Sequence, residues 1–190
     1  MLTQVASPYG IFSERHSWIK DFLLVAMGSL LITLCAPLAI KLPFTPVPLV
    51  LSSHVCLALG VLLGRNRAAL SVLTYLAQGA MGLPVFALGA SGFLHLLGPK
   101  GGYLFGWVAA AYLVGYLFEK MKDKTPLKIL YILFAGNAVV FLLGVPQLAL
   151  FIGFKAALLL GAVPFLIGDA LKSLLILQGL FVKKSLFKNL

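Results

Sequence analysis

Six apolar runs, separated by short connections that are charged or rich in glycine and proline, make up most of the chain. A helix that crosses a membrane needs about 20 predominantly apolar residues, with a range of about 17–25. The second and third runs are short by this measure, the last is longer than the range, and the others fit it. The runs cover residues 19–40, 49–64, 68–83, 102–118, 127–145 and 156–182. This pattern predicts an all-α integral membrane protein with six transmembrane helices.

The six runs also define the predicted domain organisation. We expect a cytoplasmic N-terminal segment at residues 1–18, a six-helix membrane domain at 19–182 and a basic cytoplasmic tail at 183–190. The N-terminal segment is mixed and polar, which is not typical of a cleaved targeting peptide.

The composition indicates that most of the chain is surrounded by lipid and not by water. Apolar residues make up 61% of the sequence and charged residues 11%, whereas a soluble domain carries about 25% charged residues. A water-soluble globule of this size needs more polar surface than these residues supply. An ordinary soluble enzyme, a disordered chain and a disulfide scaffold are therefore excluded.

The basic residues indicate how the helices are oriented. Fifteen Lys and Arg against five Asp and Glu give a net charge of +10. These basic residues lie between apolar runs, so we expect them to meet membrane lipid and not nucleic acid. With six spans, one side carries eleven of them, the other carries three, and Lys172 falls inside the last run. The eleven are Arg15, Lys20, Arg65, Arg67, Lys120, Lys122, Lys124, Lys128, Lys183, Lys184 and Lys188; the three are Lys41, Lys100 and Lys155. The positive-inside rule then places both termini in the cytoplasm.

The two long connections on the outer side are apolar, and the prolines of the first favour extended backbone that cannot continue a helix. Residues 41–48 contain three prolines, and residues 88–102 are rich in glycine. Non-helical backbone at membrane depth is tolerated where it is buried in protein or lines a cavity. We therefore predict Gly/Pro-rich outer loops that cap an outward-facing pocket. The alternative is a pair of surface loops that touch the lipid headgroups.

An acid and a base lie inside the last run, at Asp169 and Lys172. Their spacing of three places both on one face of a helix, and each costs at least about 2.5–3.5 kcal/mol at mid-membrane. One interpretation is mutual neutralisation alone. The functional interpretation is that Asp169 accepts hydrogen bonds from a polar ligand while Lys172 balances its charge or donates to the ligand. Pro164 and Gly168 predict a kinked or restarted helix just before the pair.

Other polar and aromatic residues in the runs give weaker signals. We expect three amides to bond between helices, two single histidines to be hydrogen-bonded or interfacial, and four aromatic residues to be interfacial anchors or pocket walls. These are Gln78, Asn137 and Gln147; His54 and His95; Tyr75, Phe86, Tyr103 and Trp107. The sequence has no catalytic motif, metal-ligand spacing or phosphate loop. We therefore expect no enzyme activity, no metal and no cofactor, and a need for partner proteins.

Four motifs together resemble one known family. They are Pro-Phe-Thr-Pro-Val-Pro at 43–48, Gly-Leu-Pro-Val-Phe-Ala at 82–87, Gly-Pro-Lys-Gly-Gly-Tyr-Leu-Phe-Gly at 98–106, and residues 159–172 with Asp169 and Lys172. In this order they are similar to the BioY family, the biotin-specific substrate-binding component of energy-coupling-factor (ECF) transporters. The resemblance implies a subunit of the bacterial cytoplasmic membrane that captures biotin from outside. It also implies an energising module of one transmembrane coupling subunit and two ATPase subunits.

The resemblance further implies which residues bind biotin. Asp169 and Lys172 fall in the site, and the loop containing Gly89, Gly92, Gly101 and Gly102 caps it. The carboxylate of Asp169 suits the ureido N–H donors, and Lys172 suits the ureido oxygen. The remaining candidates are Phe44, Phe86 and Tyr103 for the apolar edge and Lys100 for the carboxylate tail, together with Ser52. Ser52 and Lys100 are departures, because the family usually has Gln and Thr at these positions.

Two other functions remain open from the residues alone. The nearest is a binding subunit of the same architecture for another vitamin, such as thiamine or a flavin precursor. The second is a stand-alone facilitator or proton-coupled carrier. A membrane enzyme ranks below both, because the sequence offers it no nucleophile or metal constellation.

Overall fold

The computed structural model describes residues 18–43 and 45–188, and their side chains as far as residue 180. In this part of the chain the protein is mostly helical. The helices in chain order are α1 (Trp18–Cys35), α2 (Ser52–Leu63), α3 (Arg65–Ala80), α4 (Phe93–Leu97), α5 (Gly101–Lys120), α6 (Pro126–Ile152), α7 (Phe154–Gly161) and α8 (Val163–Lys188). A 3-10 turn at Ala87–Gly89 precedes α4.

Four stretches of the described residues are long and apolar enough to cross a membrane. They are α1, α5, α6 and the combined α7–α8 stretch Phe154–Leu180. Helix α2 has 12 residues and therefore rises about 18 Å, which is less than the roughly 30 Å hydrocarbon core. Helices α2 and α3 correspond to the two short apolar runs of the sequence.

Helix α5 lies at the centre of the helix assembly, where it packs against α2, α3 and α6. Glycines make the approach to α6 close. A Cβ atom added to Gly102 would collide with the carbonyl oxygen of Leu143, and one added to Gly106 would lie 3.0 Å from the Cα atom of Val140. Small residues four apart let membrane helices pack backbone to backbone, so this glycine pair holds α5 against α6.

The outer faces of α1 and α8 are apolar and exposed. Phe22 and Met27 of α1 are each 67% exposed, and Ile167 of α8 is 76% exposed. By contrast, the interior formed by α2, α3, α5 and α6 is almost completely buried. Exposed apolar helix faces around a packed interior are what a lipid solvent favours.

Charged residues of three segments meet at one end of the helices. Arg67 Nη2 lies 2.6 Å from Asp21 Oδ1 near the start of α1. The backbone N–H of Arg65 donates to Glu119 Oε1 at the end of α5, at 2.9 Å. These contacts bring together the start of α1, the α2–α3 turn and the end of α5, which we call the charged end.

The opposite end, which we call the loop end, consists of the α1–α2 connection, the segment from 81 to 100 and the α6–α7 turn. In the α1–α2 connection, β1 (Ala39–Ile40) pairs antiparallel with β2 (Leu49–Val50), with Ala39 opposite Val50. Thr45 Oγ1 donates to the carbonyl oxygen of Leu160 at 2.6 Å. The proline-rich connection is thereby attached to α7.

The helices differ from the predicted runs at several boundaries. Helix α1 ends at Cys35, because residues 39–40 form β1. The predicted fifth run ends before Pro146, whereas α6 continues through this proline to Ile152. The sixth run is divided at Ala162 into α7 and α8, and Pro164 is the second residue of α8. A restart just before the acid–base pair agrees with the prediction.

The predicted terminal segments fall at the limits of the described structure. Of the N-terminal segment 1–18, residues 1–17 lie outside the described residues, and Trp18 begins α1. Helix α8 continues to Lys188, so the backbone of the predicted tail is helical as far as that residue.

Candidate functional site

The acid and base of the last apolar run form a direct ion pair near the start of α8. Lys172 Nζ donates to Asp169 Oδ1 at 3.2 Å and to the carbonyl oxygen of Val50 at 3.1 Å. Both charged side chains are 14% exposed. The predicted shared face of the pair is confirmed. The contact with β2 was not predicted, and it joins α8 to the α1–α2 connection.

His54 of α2 completes this polar cluster. Its Nε2 atom lies 3.2 Å from the backbone oxygen of Asp169, and its Nδ1 atom lies 3.2 Å from Ser53 Oγ. A carbonyl oxygen can only accept, so Nε2 carries the proton in a neutral ring and Nδ1 is an acceptor. The single hydroxyl proton of Ser53 has two acceptors within reach, His54 Nδ1 and the carbonyl oxygen of Val50 at 3.4 Å. In this tautomer the 3.9 Å between Nδ1 and Asp169 Oδ1 is proximity without a bond. The prediction of a hydrogen-bonded His54 is confirmed.

His54 was not among the predicted site residues, although the sequence contains a signal for it. Ser52, Ser53 and His54 are three consecutive polar residues at the start of an otherwise apolar helix. Such a group is costly in a membrane unless it has partners. The partner of His54 lies 115 residues away, and the helical period alone does not pair residues so far apart.

Two buried hydroxyl groups lack a hydrogen-bond partner among the described residues. They are Ser52 Oγ on α2 and Tyr75 Oη on α3, and both side chains are fully buried. Buried polar groups are nearly always bonded, so each orphan calls for an explanation such as a water or a ligand. Ser52 was a predicted site residue, whereas Tyr75 was predicted as an anchor or a pocket wall.

The aromatic residues form a chain that runs from α5 towards the glycine-rich loop. The Tyr75 ring stacks on Trp107 and meets Phe86 edge to face, with ring centres 6.3 and 5.6 Å apart. The Phe86 ring in turn stacks on His95 at 5.1 Å. All but His95 are buried in the interior. Of the two alternatives for the aromatic residues, this burial excludes interfacial anchoring.

Tyr103 is bonded within the protein. Its hydroxyl donates to the carbonyl oxygen of Gly161 at 2.9 Å, and its ring packs on Gly144. The phenol therefore connects the start of α5 to the end of α7, directly before the helix that carries Asp169 and Lys172.

The glycine-rich loop before α5 is ordered by backbone bonds. Gly89 and Gly92 have φ angles of 75° and 94°, which favour glycine. The N–H of Gly92 donates to the carbonyl oxygen of Gly79 at 2.7 Å, and that of Phe86 donates to Ala90. The loop is therefore folded back onto the end of α3.

The interhelical amide bonds predicted from the sequence are present. Gln78 accepts from Ser29 Oγ at 3.1 Å, and Asn137 donates to Ser173 Oγ at 3.2 Å. Gln147 donates to the carbonyl oxygen of Gly98 at 2.7 Å and to that of Leu96. Gln147 therefore attaches α4 and the residue after it to α6.

Lys100 lies at the amino end of α5. Partial burial, and to a lesser extent the positive charge of Lys41, lower the pKa of its ammonium group. The amino end of a helix adds a partial positive charge of its own. Lys100 and the α5 terminus therefore form an electropositive position at the loop end, which favours a carboxylate.

The structure does not describe every predicted site residue. Phe44 lies outside the described residues. Two open grooves, of about 420 and 440 Å³, lie at the α5–α6 and α6–α7 turns, and neither is lined by Asp169 or Lys172.

Comparison with known proteins identifies the family of the chain. The sequence profile of the BioY family matches residues 6–186. The chain belongs to the BioY family. With four stretches of membrane-spanning length, this BioY-family chain is a multi-pass protein of the cytoplasmic membrane.

Two curated BioY relatives illustrate the similarity. The probable biotin transporter BioY of Pyrococcus horikoshii is 35% identical over 154 residues, which cover 81% of this chain and 90% of the relative. The biotin transporter BioY of Thermotoga maritima is 37% identical over 134 residues, or 70% of this chain and 78% of the relative.

A solved structure shares the fold of this BioY-family chain. It is the crystal structure of the S-component for biotin from an ECF-type ABC transporter. The TM-score is 0.78 at 28% sequence identity, and the match covers 87% of this chain and 91% of the other.

Proposed function

We propose that the chain captures biotin and takes it up across the membrane as the substrate-binding subunit of an ECF-type, ATP-driven transporter. Family membership, the printed names of the relatives and the structural similarity to a biotin S-component support this function. The observation that carries it in this chain is the cluster of Asp169, Lys172 and His54, held where α8 meets α2 and β2.

The cluster has hydrogen-bonding capacity left for a ureido ring. A carboxylate has about four acceptor positions, so Asp169 keeps capacity for two N–H donors after its bond from Lys172. An ammonium group has three donors, and Lys172 uses two of them on Asp169 and Val50. The third donor suits the ureido oxygen. The apolar rings and the tail of biotin then extend from this polar end.

The other predicted residues take roles around the same ligand. Lys100 attracts the carboxylate tail, because it adds its charge to that of the α5 amino end. Ser52 and Tyr75 offer buried hydroxyls that have no hydrogen-bond partner in the described part of the chain. The remaining proposed contacts cover the apolar edge or cap the site, and they are Phe44, Phe86, Tyr103, Gly89 and Gly92.

We place six helices across the membrane, with both termini in the cytoplasm and the site open to the outside. The arrangement of the ends supports this topology. The charged end gathers the α2–α3 and α5–α6 connections, which carry six of the basic residues that the sequence assigns to the cytoplasm. The candidate site and its capping loops lie at the loop end.

Uptake requires partners that supply energy. We propose one transmembrane coupling subunit and two ATPase subunits, with no ATPase site on this chain. The solved structure that it resembles comes from an ECF-type ABC transporter, which supports this assembly.

The direct test is ligand binding by the full-length protein purified in detergent. We expect biotin to bind with a Kd below one micromolar and thiamine and riboflavin to bind at least 100-fold more weakly, a difference of about 2.7 kcal/mol. Isothermal titration of the three vitamins in the same buffer measures this. Tight binding of another vitamin with no submicromolar biotin binding would contradict the proposal.

A further inference from the structure

An open groove lies at the charged end, between the end of α5 and the start of α6. Its volume is about 420 Å³, and its lining is mostly apolar. The lining includes Leu117, Met121, Leu127 and Tyr131, with Lys120 and Lys128. This groove is separate from the candidate biotin site, which lies at the loop end.

The rim of the groove is positively charged. Residues 120–128 contain four lysines and one acid, Asp123. Asp123 Oδ2 lies 3.5 Å from Lys128 Nζ, but these side chains are 78% and 53% exposed, and exposed ion pairs are weak. Lys120 Nζ lies 4.5 Å from the centre of the Tyr116 ring, a contact that adds no net negative charge to the rim. The rim therefore favours an anion.

The position of the groove places it where lipid headgroups meet the hydrocarbon core. Helix α5 has 20 residues and rises about 30 Å, which matches the core thickness. Its end therefore lies at the membrane interface. On the adjoining turn of α6, Leu127 is 79% exposed and Tyr131 is 73% exposed. Exposed tyrosine is typical of this interface.

We propose that the groove binds an anionic phospholipid. The phosphate lies between Lys120 and Lys128, and an acyl chain covers Leu117, Met121 and Leu127. An apolar floor beneath a basic rim matches the two parts of such a lipid, and basic residues near the surface attract anionic headgroups. An acidic segment of a soluble protein matches the rim but not the floor. The inference does not depend on which solute the protein carries.

The test compares two charge-removing double variants of the full-length protein, stripped of lipid in detergent. Lys120→Gln/Lys128→Gln removes the rim. Lys20→Gln/Lys41→Gln removes the same charge from two exposed positions that do not line the groove. Native mass spectrometry during titration with dioctanoylphosphatidylglycerol or dioctanoylphosphatidylcholine gives the affinity for each lipid. Midpoints of thermal unfolding check that both variants are folded.

We expect wild type and the Lys20/Lys41 variant to bind the anionic lipid at least tenfold more tightly than the zwitterionic lipid. We expect the Lys120/Lys128 variant to lose most of this preference. An unchanged preference in the rim variant overturns the proposal, and so does an equal loss in both variants. Glycerol phosphate added as a competitor distinguishes a lipid from a free phosphate. If it displaces the lipid at comparable concentration, the groove is a phosphate site and the proposal fails.

Discussion

Asp169 lies in a place where an isolated charge is expensive, and two neighbours offset that cost in different ways. Lys172 supplies the opposite charge at 3.2 Å. His54 holds the backbone of the same residue through its carbonyl oxygen, which fixes the start of α8 against α2. A buried ion pair gains little over an apolar pair by itself. Its presence here is therefore better explained by ligand recognition than by stability.

Replacing Asp169 by Asn tests that explanation. The amide keeps the size of the side chain but replaces one acceptor oxygen with a donor and leaves Lys172 without its counter-ion. We expect biotin to bind at least tenfold more weakly, a loss of about 1.4 kcal/mol or more, measured by isothermal titration. The matched control is Asp123→Asn at the charged end, which should bind biotin as wild type does. Wild-type affinity and expression in Asp169→Asn would leave Asp169 as a structural partner of Lys172 only.

Tyr75 and Tyr103 allow ligand contact to be separated from packing. Tyr75→Phe removes a hydroxyl that has no hydrogen-bond partner among the described residues, so we expect no loss of thermal stability without ligand and a several-fold loss of biotin affinity. Tyr103→Phe removes the bond to Gly161 and should lower the free energy of unfolding by about 1 kcal/mol. Thermal unfolding with and without biotin measures both effects. Unchanged affinity in Tyr75→Phe would show that the orphan hydroxyl does not contact the ligand.

The sequence pattern predicted which helices exist better than it predicted where each helix begins and ends. All six apolar runs contain helix, because burial in lipid requires the backbone bonds to close within each segment. Pro146 and Pro164 occupy different positions in their helices. Pro164 falls at the start of α8, where its missing donor costs nothing. Pro146 lies within α6, where neighbouring helices compensate a proline in a membrane segment. Local sequence did not distinguish these two cases.

The acid–base pair was predictable because both of its members belong to one helix turn. Its contacts with His54 and Val50 were not, because they join segments 115 and 122 residues apart. The buried aromatic chain from Trp107 to His95 depends on such long-range packing too. The sequence therefore indicated the chemistry of the site but only part of its lining.

Gly102 tests the close packing of α5 on α6. We expect Gly102→Ala to lower the free energy of unfolding by about 1–3 kcal/mol, because overpacking forces backbone or side chains to move. The added carbon would meet the Leu143 carbonyl oxygen and the Gly144 backbone. Gly179→Ala is the control, since no atom of the described residues that could clash lies within 4 Å of its added carbon. Chemical denaturation in detergent measures both. Equal stability of the two variants would argue against a tight α5–α6 contact.

The whole protein has a charged end, a loop end and apolar sides. The proposed coupling and ATPase subunits act on the whole protein. We expect cells that lack the coupling and ATPase subunits to take up no biotin through this chain at nanomolar concentrations, and co-expression of these subunits to restore uptake. Uptake of radiolabelled biotin measures this, with an ATPase-inactive module as control. Full uptake by the chain alone would favour a stand-alone carrier.

A map of the full-length protein with biotin bound is the most direct test of ligand capture at the α2–α8 junction. We predict density for the ureido ring within hydrogen-bonding distance of the Asp169 carboxylate, with the carboxylate tail directed towards Lys100. Biotin bound elsewhere, with Asp169 and Lys172 sealed between helices and no ligand beside them, would contradict the account.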